Sequence, residues 1–331
     1  MRMRSLAPGG ESEAVPVPDV SRSPIMPNLL DVTEAAALAC GRHLGRNDSG
    51  RAREVAAAAM LDALEELGVR GRVVLGPRGD EVLSHGTMVG PPEDLQFDLA
   101  AYPVEGAALV SRGLPGAVSI LVAVEPGGFP DLPAVWYMEK IVTGPAARIA
   151  LDLEDPLADN LRRIAFARDA RMTDLVVAIL DRPRHQDLIQ EVRDTGARIV
   201  RLEEGEIGGA LLAASEGTGI DAMVGIGGLQ EAIISACAIR CLGGEILARL
   251  WPRNDEEREL AGDEVGRVYK VADLSPELVE VAVTGITDGP LLRAVWYGSH
   301  NAATQSLSMS TRSNTVRRVK SSHRRSALGD G

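Results

Sequence analysis

The segment Ala117–Val124 reads Ala-Val-Ser-Ile-Leu-Val-Ala-Val, apolar almost without a break. A run this short fits a strand, and a strand apolar on both sides has to be covered from both sides. The chain is therefore expected to be layered. No apolar run approaches the ~18 residues that a membrane-spanning helix needs. Aromatic residues make up only 3% of the sequence, so Ala, Val, Leu and Ile must build the core.

The flanking segments read as follows. Val32–Leu44 is predicted to be a helix with Thr33 as its N-cap, and Arg51–Leu67 a second helix stopped by Gly68. Arg72–Leu75 reads as a strand, and Phe97–Ala101 as a strand running into a turn at Pro103, Glu105 and Gly106. Beyond Asp155-Pro156 the pattern becomes alternating. Helices are expected at Leu157–Ala167, His185–Thr195, Ile207–Ala214 and Leu229–Cys241. Strands are expected at Asp174–Leu180, Arg198–Leu202 and Asp221–Gly225. This alternation predicts an α/β unit with a mostly parallel sheet. Leu278–Val283 is a further strand, and Leu307, Met309 and Val316 suggest a closing hairpin. The expected division is a flexible tail over 1–28, an N-terminal α+β domain over 29–155, a C-terminal α/β domain over 156–320 and a basic tail over 321–331.

A net charge of −12 argues against nucleic-acid or membrane partners and requires a locally basic pocket for any anionic substrate. Cys40, Cys237 and Cys241 form no disulfide framework, which fits a reducing cytoplasm. Cys237 and Cys241 are read as core residues, and His43 and His185 as helix-face residues. The basic cluster Arg317–Arg325 is read as a solvated, frayed end.

The stretch Asp98–Ala107 has the outline of a metal-phosphatase signature, with Pro103, Glu105 and Gly106 in place. Tyr102 stands where that signature has an Asp, and Ala107 where it has a Thr. Further matching stretches follow in order: Val32–Asp48, Trp136–Ala147, Pro156–Arg162, Leu180–His185, Met223–Gly228 with Glu231, Leu250–Asn254, Val283–Gly289 and Thr315–His323. Together they resemble the class II fructose-1,6-bisphosphatases, a bacterial branch of the lithium-sensitive, metal-dependent phosphatases. The resemblance implies a layered α-β-α-β-α sandwich and a homo-oligomer.

Such enzymes cluster carboxylates around divalent cations that polarise a phosphoryl group and generate the nucleophilic water. The resemblance assigns metal-ligand positions to Arg53, Pro77, Tyr102, Glu105 and Glu231, of which only Glu105 and Glu231 are carboxylates. It assigns substrate contacts to Glu105, Gly106, Tyr137, Arg182, Pro183, Arg184, Glu204, Gly205, Glu206 and Gly228. Glu204 and Glu206 stand where shorter Asp residues bind sugar hydroxyls in the family. The N–H groups of Gly225–Gly228 and the following helix N-terminus are expected to face an anion. A guanidinium at a metal position repels cations but binds phosphate oxygens bidentately, a role suited to Arg53 and Arg78. The expected cofactor state is therefore no metal, or weakly bound Mg²⁺ or Mn²⁺.

Three functional readings follow. The first is a cytoplasmic sugar-phosphate-binding protein of carbohydrate metabolism with weak or lost phosphatase activity, acting alone or in mixed oligomers with an active paralogue. The second is a repurposed enzyme in which Tyr102 is a general acid/base and Arg53 and Arg78 clamp an anionic substrate without metal; Glu105 is a candidate catalytic residue. The third is a true bisphosphatase whose metal site is rearranged through Asp80 or Glu81.

Overall fold

The computed structural model describes residues 28–77, 79 and 82–324; Arg78, Asp80, Glu81 and both expected tails up to Pro27 and from Arg325 lie outside the described residues. Helices α1 (Leu29–Gly41) and α2 (Ser49–Glu66) precede strands β1 (Gly71–Leu75), β2 (Met88–Val89) and β3 (Phe97–Glu105). A short helix α3 (Ala107–Arg112) leads to β4 (Val118–Val124) and β5 (Tyr137–Thr143). Then come α4 (Leu157–Ala167), β6 (Val176–Leu180), α5 (Gln186–Asp194), β7 (Arg198–Leu202), α6 (Glu206–Ala214), β8 (Ala222–Gly228), α7 (Leu229–Leu242) and β9 (Glu245–Leu250). The remaining elements are α8 (Asp255–Ala261), β10 (Val268–Tyr269), α9 (Val271–Leu274), β11 (Val279–Gly285), β12 (Trp296–Tyr297), β13 (Asn301–Ser310) and β14 (Thr315–Arg324).

The strands form two sheets. One runs β12-β13-β11-β4-β3-β1-β2 with β14 added on β13; the other runs β10-β9-β5-β8-β6-β7. β4 shows why the layers form. Val118, Ile120, Val122 and Val124 pack into the cluster that holds α6 and α7, whereas Leu121 and Ala123 join the cluster of α1 and α2. On the far side, Ile141, Val177, Ile179 and Val224 meet Leu161 and Ile164 of α4 and Ile189 and Val192 of α5. The result is α1/α2, sheet, α6/α7, sheet, α4/α5: the expected five-layer sandwich. Cys40 and Cys237 are fully buried, and burial pushes the thiols of Cys40, Cys237 and Cys241 up to about 12, as core residues.

Several sequence expectations need correction. The second sheet is mixed: β6 pairs in parallel with β7 and β8, but β5 pairs antiparallel with β8 and β9, and β9 with β10. Inserting β5 between β8 and β9 breaks the alternating rule, because β5 arrives from the other side of Pro156. Sheet membership does not follow chain order, since β11, β13 and β14 return to the first sheet. Thr33 lies inside α1, not at its cap, and its hydroxyl bonds Leu30 O at 3.2 Å and Thr284 Oγ1 at 2.8 Å. β3 continues through Pro103 to Glu105; the pairing with β4 skips Pro103 and Val104, so the N–H that proline lacks is not needed there. The basic cluster Arg317–Arg324 is no frayed end but part of β14, paired with β13 along its full length.

Ile120 is only 1% exposed between the middle layers, whereas Phe166 is 89% exposed on α4. Ile120→Ala is expected to cost about 2–5 kcal/mol by denaturant unfolding, because the rigid sheet cannot collapse around the void. Phe166→Ala should change stability by less than about 0.5 kcal/mol. Equal losses at the two positions would contradict the placement of the core between these layers.

Candidate functional site

At the end of β3 the Glu105 side chain crosses to the other sheet's helices. One carboxylate oxygen accepts the N–H of Gly208 at 2.9 Å and the other accepts the N–H of Ile207. Those are orphan donors of the first turn of α6, so Glu105 caps that helix from another element. The arrangement is reciprocated. Glu204, two residues before α6, accepts the N–H of Ala108 at 3.1 Å in the first turn of α3. Each cap relies on a left-handed glycine: Gly106 has φ 89° before α3 and Gly205 has φ 91° before α6. A side chain at either position would be strained, which accounts for glycine at both.

Glu206, the first residue of α6, ion-pairs with Lys140 of β5 and accepts the N–H of Gly228 at 3.0 Å. The Lys140 ammonium also donates to Gly228 O at 3.2 Å. Lys140 is buried and therefore needs such a partner. Gly227 and Gly228 leave the room: a Cβ on Gly227 would collide with the Glu206 carboxylate, and one on Gly228 with the Glu231 carboxylate. Glu231, in the first turn of α7, and Gln230 both accept from the buried Tyr102 hydroxyl at 3.2 Å. The N–H groups expected to face an anion are thus partly spent inside the protein. Gly228 N serves Glu206, and Ile226 N donates to His185 Nε2 at 2.8 Å.

His185 is fully buried and not a helix-face residue. Its Nδ1 meets Leu180 O at 2.8 Å, and burial holds its pKa below the ordinary value. It braces the turn that presents Arg182 and Arg184. Arg182 donates to Glu203 O at 2.7 Å, and Arg184 donates to Ile226 O at 2.8 and 3.1 Å. The Arg184 guanidinium also stacks 4.9 Å from the centre of the Tyr137 ring.

These groups surround a cavity of about 380 Å³ lined by Arg53, Pro77, Tyr102, Glu105, Gly106, Ala107, Tyr137, Arg182, Arg184, Glu204, Gly205, Glu206, Gly228 and Glu231. Of the expected site residues that are described, Pro183 is not in the lining and is exposed in the turn between β6 and α5; Arg78, Asp80 and Glu81 lie outside the described residues. Arg53 extends from α2 and makes no hydrogen bond or ion pair among the described residues. Among the described residues, no group of three or more His, Cys, Asp or Glu side chains is placed to hold a metal ion. Sequence reasoning missed Lys140 and the structural role of His185. A lysine inside an otherwise buried strand was the available signal for the first; none marks the second.

A model of the family described as bacterial fructose-1,6-bisphosphatase, glpX-encoded, matches residues 23–323. The chain belongs to the class II fructose-1,6-bisphosphatase family. It is similar to a protein named D-fructose 1,6-bisphosphatase class 2/sedoheptulose 1,7-bisphosphatase from Synechococcus sp. (strain JA-2-3B'a(2-13)), with 36% identity covering 89% of this chain and 94% of the relative. A protein of the same name from Thermosynechococcus vestitus (strain NIES-2133 / IAM M-273 / BP-1) is 35% identical over the same shares. This family acts on sugar phosphates and is generally dependent on divalent metals. No helix among the described residues is long and apolar enough to cross a membrane.

Burial raises the Glu105 pKa from 4.5 to about 8; the Gly208 and Ile207 N–H groups oppose this, and nearby Glu206 and Glu231 add to it. The unfolded chain releases this proton near 4.5 while the fold holds it to about 8, so the contribution to stability falls as pH rises through that window. Glu105→Ala is therefore expected to flatten the decline in melting temperature between those pH values. An unchanged slope would mean that Glu105 is already ionised in the fold.

Proposed function

We propose that this cytoplasmic member of the class II fructose-1,6-bisphosphatase family binds a small phosphorylated sugar, or a related anion, through guanidinium groups. Its metal-dependent hydrolysis is weak or lost. The observation that carries this reading is the commitment of the two remaining metal-site carboxylates. Both oxygens of Glu105 accept helix N–H groups, and Glu231 accepts from Tyr102. Arg53, Pro77 and Tyr102 bring no anionic donor to the other ligand positions. This donor set does not fit two or three divalent cations, whose hard charge calls for several free carboxylates.

The same cavity also carries positive charge. Arg53, Arg182 and Arg184 face the cavity, and a guanidinium matches the geometry of a phosphate. Glu204 and Glu206 stand where the family contacts sugar hydroxyls, yet each is engaged by the protein itself. The pocket therefore favours binding over turnover. Partners consistent with this are a second copy of the chain or an active paralogue in a mixed oligomer.

One observation favours a second reading. The Tyr102 hydroxyl bonds Glu231, a pairing that can hold or pass a proton in metal-free chemistry on an anionic substrate. An ultraviolet titration in which Tyr102→Phe removes a low-pKa tyrosine would favour this second reading over a purely binding role.

The deciding assay is phosphate release from fructose 1,6-bisphosphate with Mn²⁺ or Mg²⁺, against an EDTA control. The expected outcome is no release above the control, with fructose 1,6-bisphosphate still bound in calorimetry. Arg184→Ala should weaken that binding by about 10- to 100-fold, the usual worth of a charge-assisted hydrogen bond. Release that EDTA abolishes would overturn the reading and put a working metal site back in this cavity.

A further inference from the structure

The chain has 3 Trp, 4 Tyr and 3 Phe, and Trp136 and Trp251 gather around Tyr137, which itself lines the cavity. Tyr137 and Trp251 stand edge to face, with ring centres 6.3 Å apart. The Arg253 guanidinium lies 4.7 Å from the centre of the Trp136 ring and 5.8 Å from that of Tyr137. Arg184 covers Tyr137 from the cavity side at 4.9 Å. Cation and ring thus alternate outward from the wall that carries Arg182 and Arg184, with Tyr137 common to cavity and ledge.

The ledge is rigid. Arg253 Nε donates to Glu257 Oε1 at 2.7 Å and its backbone N–H to Glu257 Oε2 at 3.0 Å. Glu257 is itself buried at the start of α8, where Asn254 caps its N–H at 2.8 Å. The ledge is also open: Trp136 is 42% and Trp251 37% exposed. Two indoles left wet beside the cavity arginines, with Arg253 fixed over one of them, form a stacking surface.

We propose that this ledge stacks the base of a nucleoside monophosphate whose phosphate sits on the cavity guanidiniums. This rests on the guanidinium-binding reading above and narrows its ligand class. The charge balance decides between candidates. A hexose bisphosphate is anionic at both ends, but the ledge cation Arg253 is neutralised by Glu257, so a second phosphate has no free counter-charge there. An uncharged planar ring matches both indole faces and the flat guanidinium.

The test is calorimetric titration of the purified protein with guanosine 5′-monophosphate, ribose 5-phosphate and inorganic phosphate. Stacking of one base on an aromatic side chain predicts that the nucleotide binds about 10-fold or more tightly than ribose 5-phosphate. Trp136→Ala and Trp251→Ala, both at exposed rings, should shrink that advantage and leave ribose 5-phosphate binding unchanged. Equal affinities for nucleotide and ribose 5-phosphate in the wild-type protein would overturn the ledge alone, as would an advantage that survives in the double variant. Binding of none of the three probes would overturn the underlying anion-site reading as well.

Discussion

The carboxylate of Glu105 on the first turn of α6 ties the two halves of this molecule together. It arises on a strand of one sheet and satisfies donors of a helix sandwiched against the other. Glu204 answers it at α3, so each helix start is completed by a residue outside that helix. Apolar burial between layers has no direction, and it alone does not fix how one sheet sits over the other. Crossed caps do, because a backbone N–H donates well only to an acceptor within a narrow range of positions. The cavity is the gap that this seam leaves between the ends of β3, β5 and β8.

Charge in and around that gap is arranged largely in pairs. Lys140 answers Glu206, Arg253 answers Glu257, and the buried Glu105 has only backbone dipoles against two neighbouring acids. An acidic protein carrying a net charge of −12 has thereby kept Arg53 and parts of Arg182 and Arg184 uncommitted at one place. These guanidiniums share the cavity with Glu105, Glu204, Glu206 and Glu231, so both signs of charge meet at one place in a protein whose overall field is negative.

Much of the architecture was legible in the chain. The apolar segment around Ile120 demands cover on both faces, and the rhythm after Pro156 locates most of the later elements within a few residues. What could not be read was β5 as a sheet member, because Tyr137, Glu139 and Lys140 point to site and surface and dilute its apolar signal. Its insertion between β8 and β9 is a tertiary choice that no local pattern encodes. The candidate site was legible through family resemblance, down to Tyr102 and Arg53. The crossed caps were not, since a glutamate that ligates a metal and one that caps a helix are spelled alike.

That ambiguity bears on how such a chain drifts over generations. A glutamate whose only task is to hold a cation is free to mutate once the reaction is no longer selected. Glu105 is not free in that sense: its loss would strip two helix donors of their partner and loosen the seam between the sheets. Arg53, by contrast, stands on an exposed face of α2 where no packing resists exchange. The fold thus sets unequal costs for exchanging the residues around one cavity: Glu105 is tied into the seam between the sheets, and Arg53 is not.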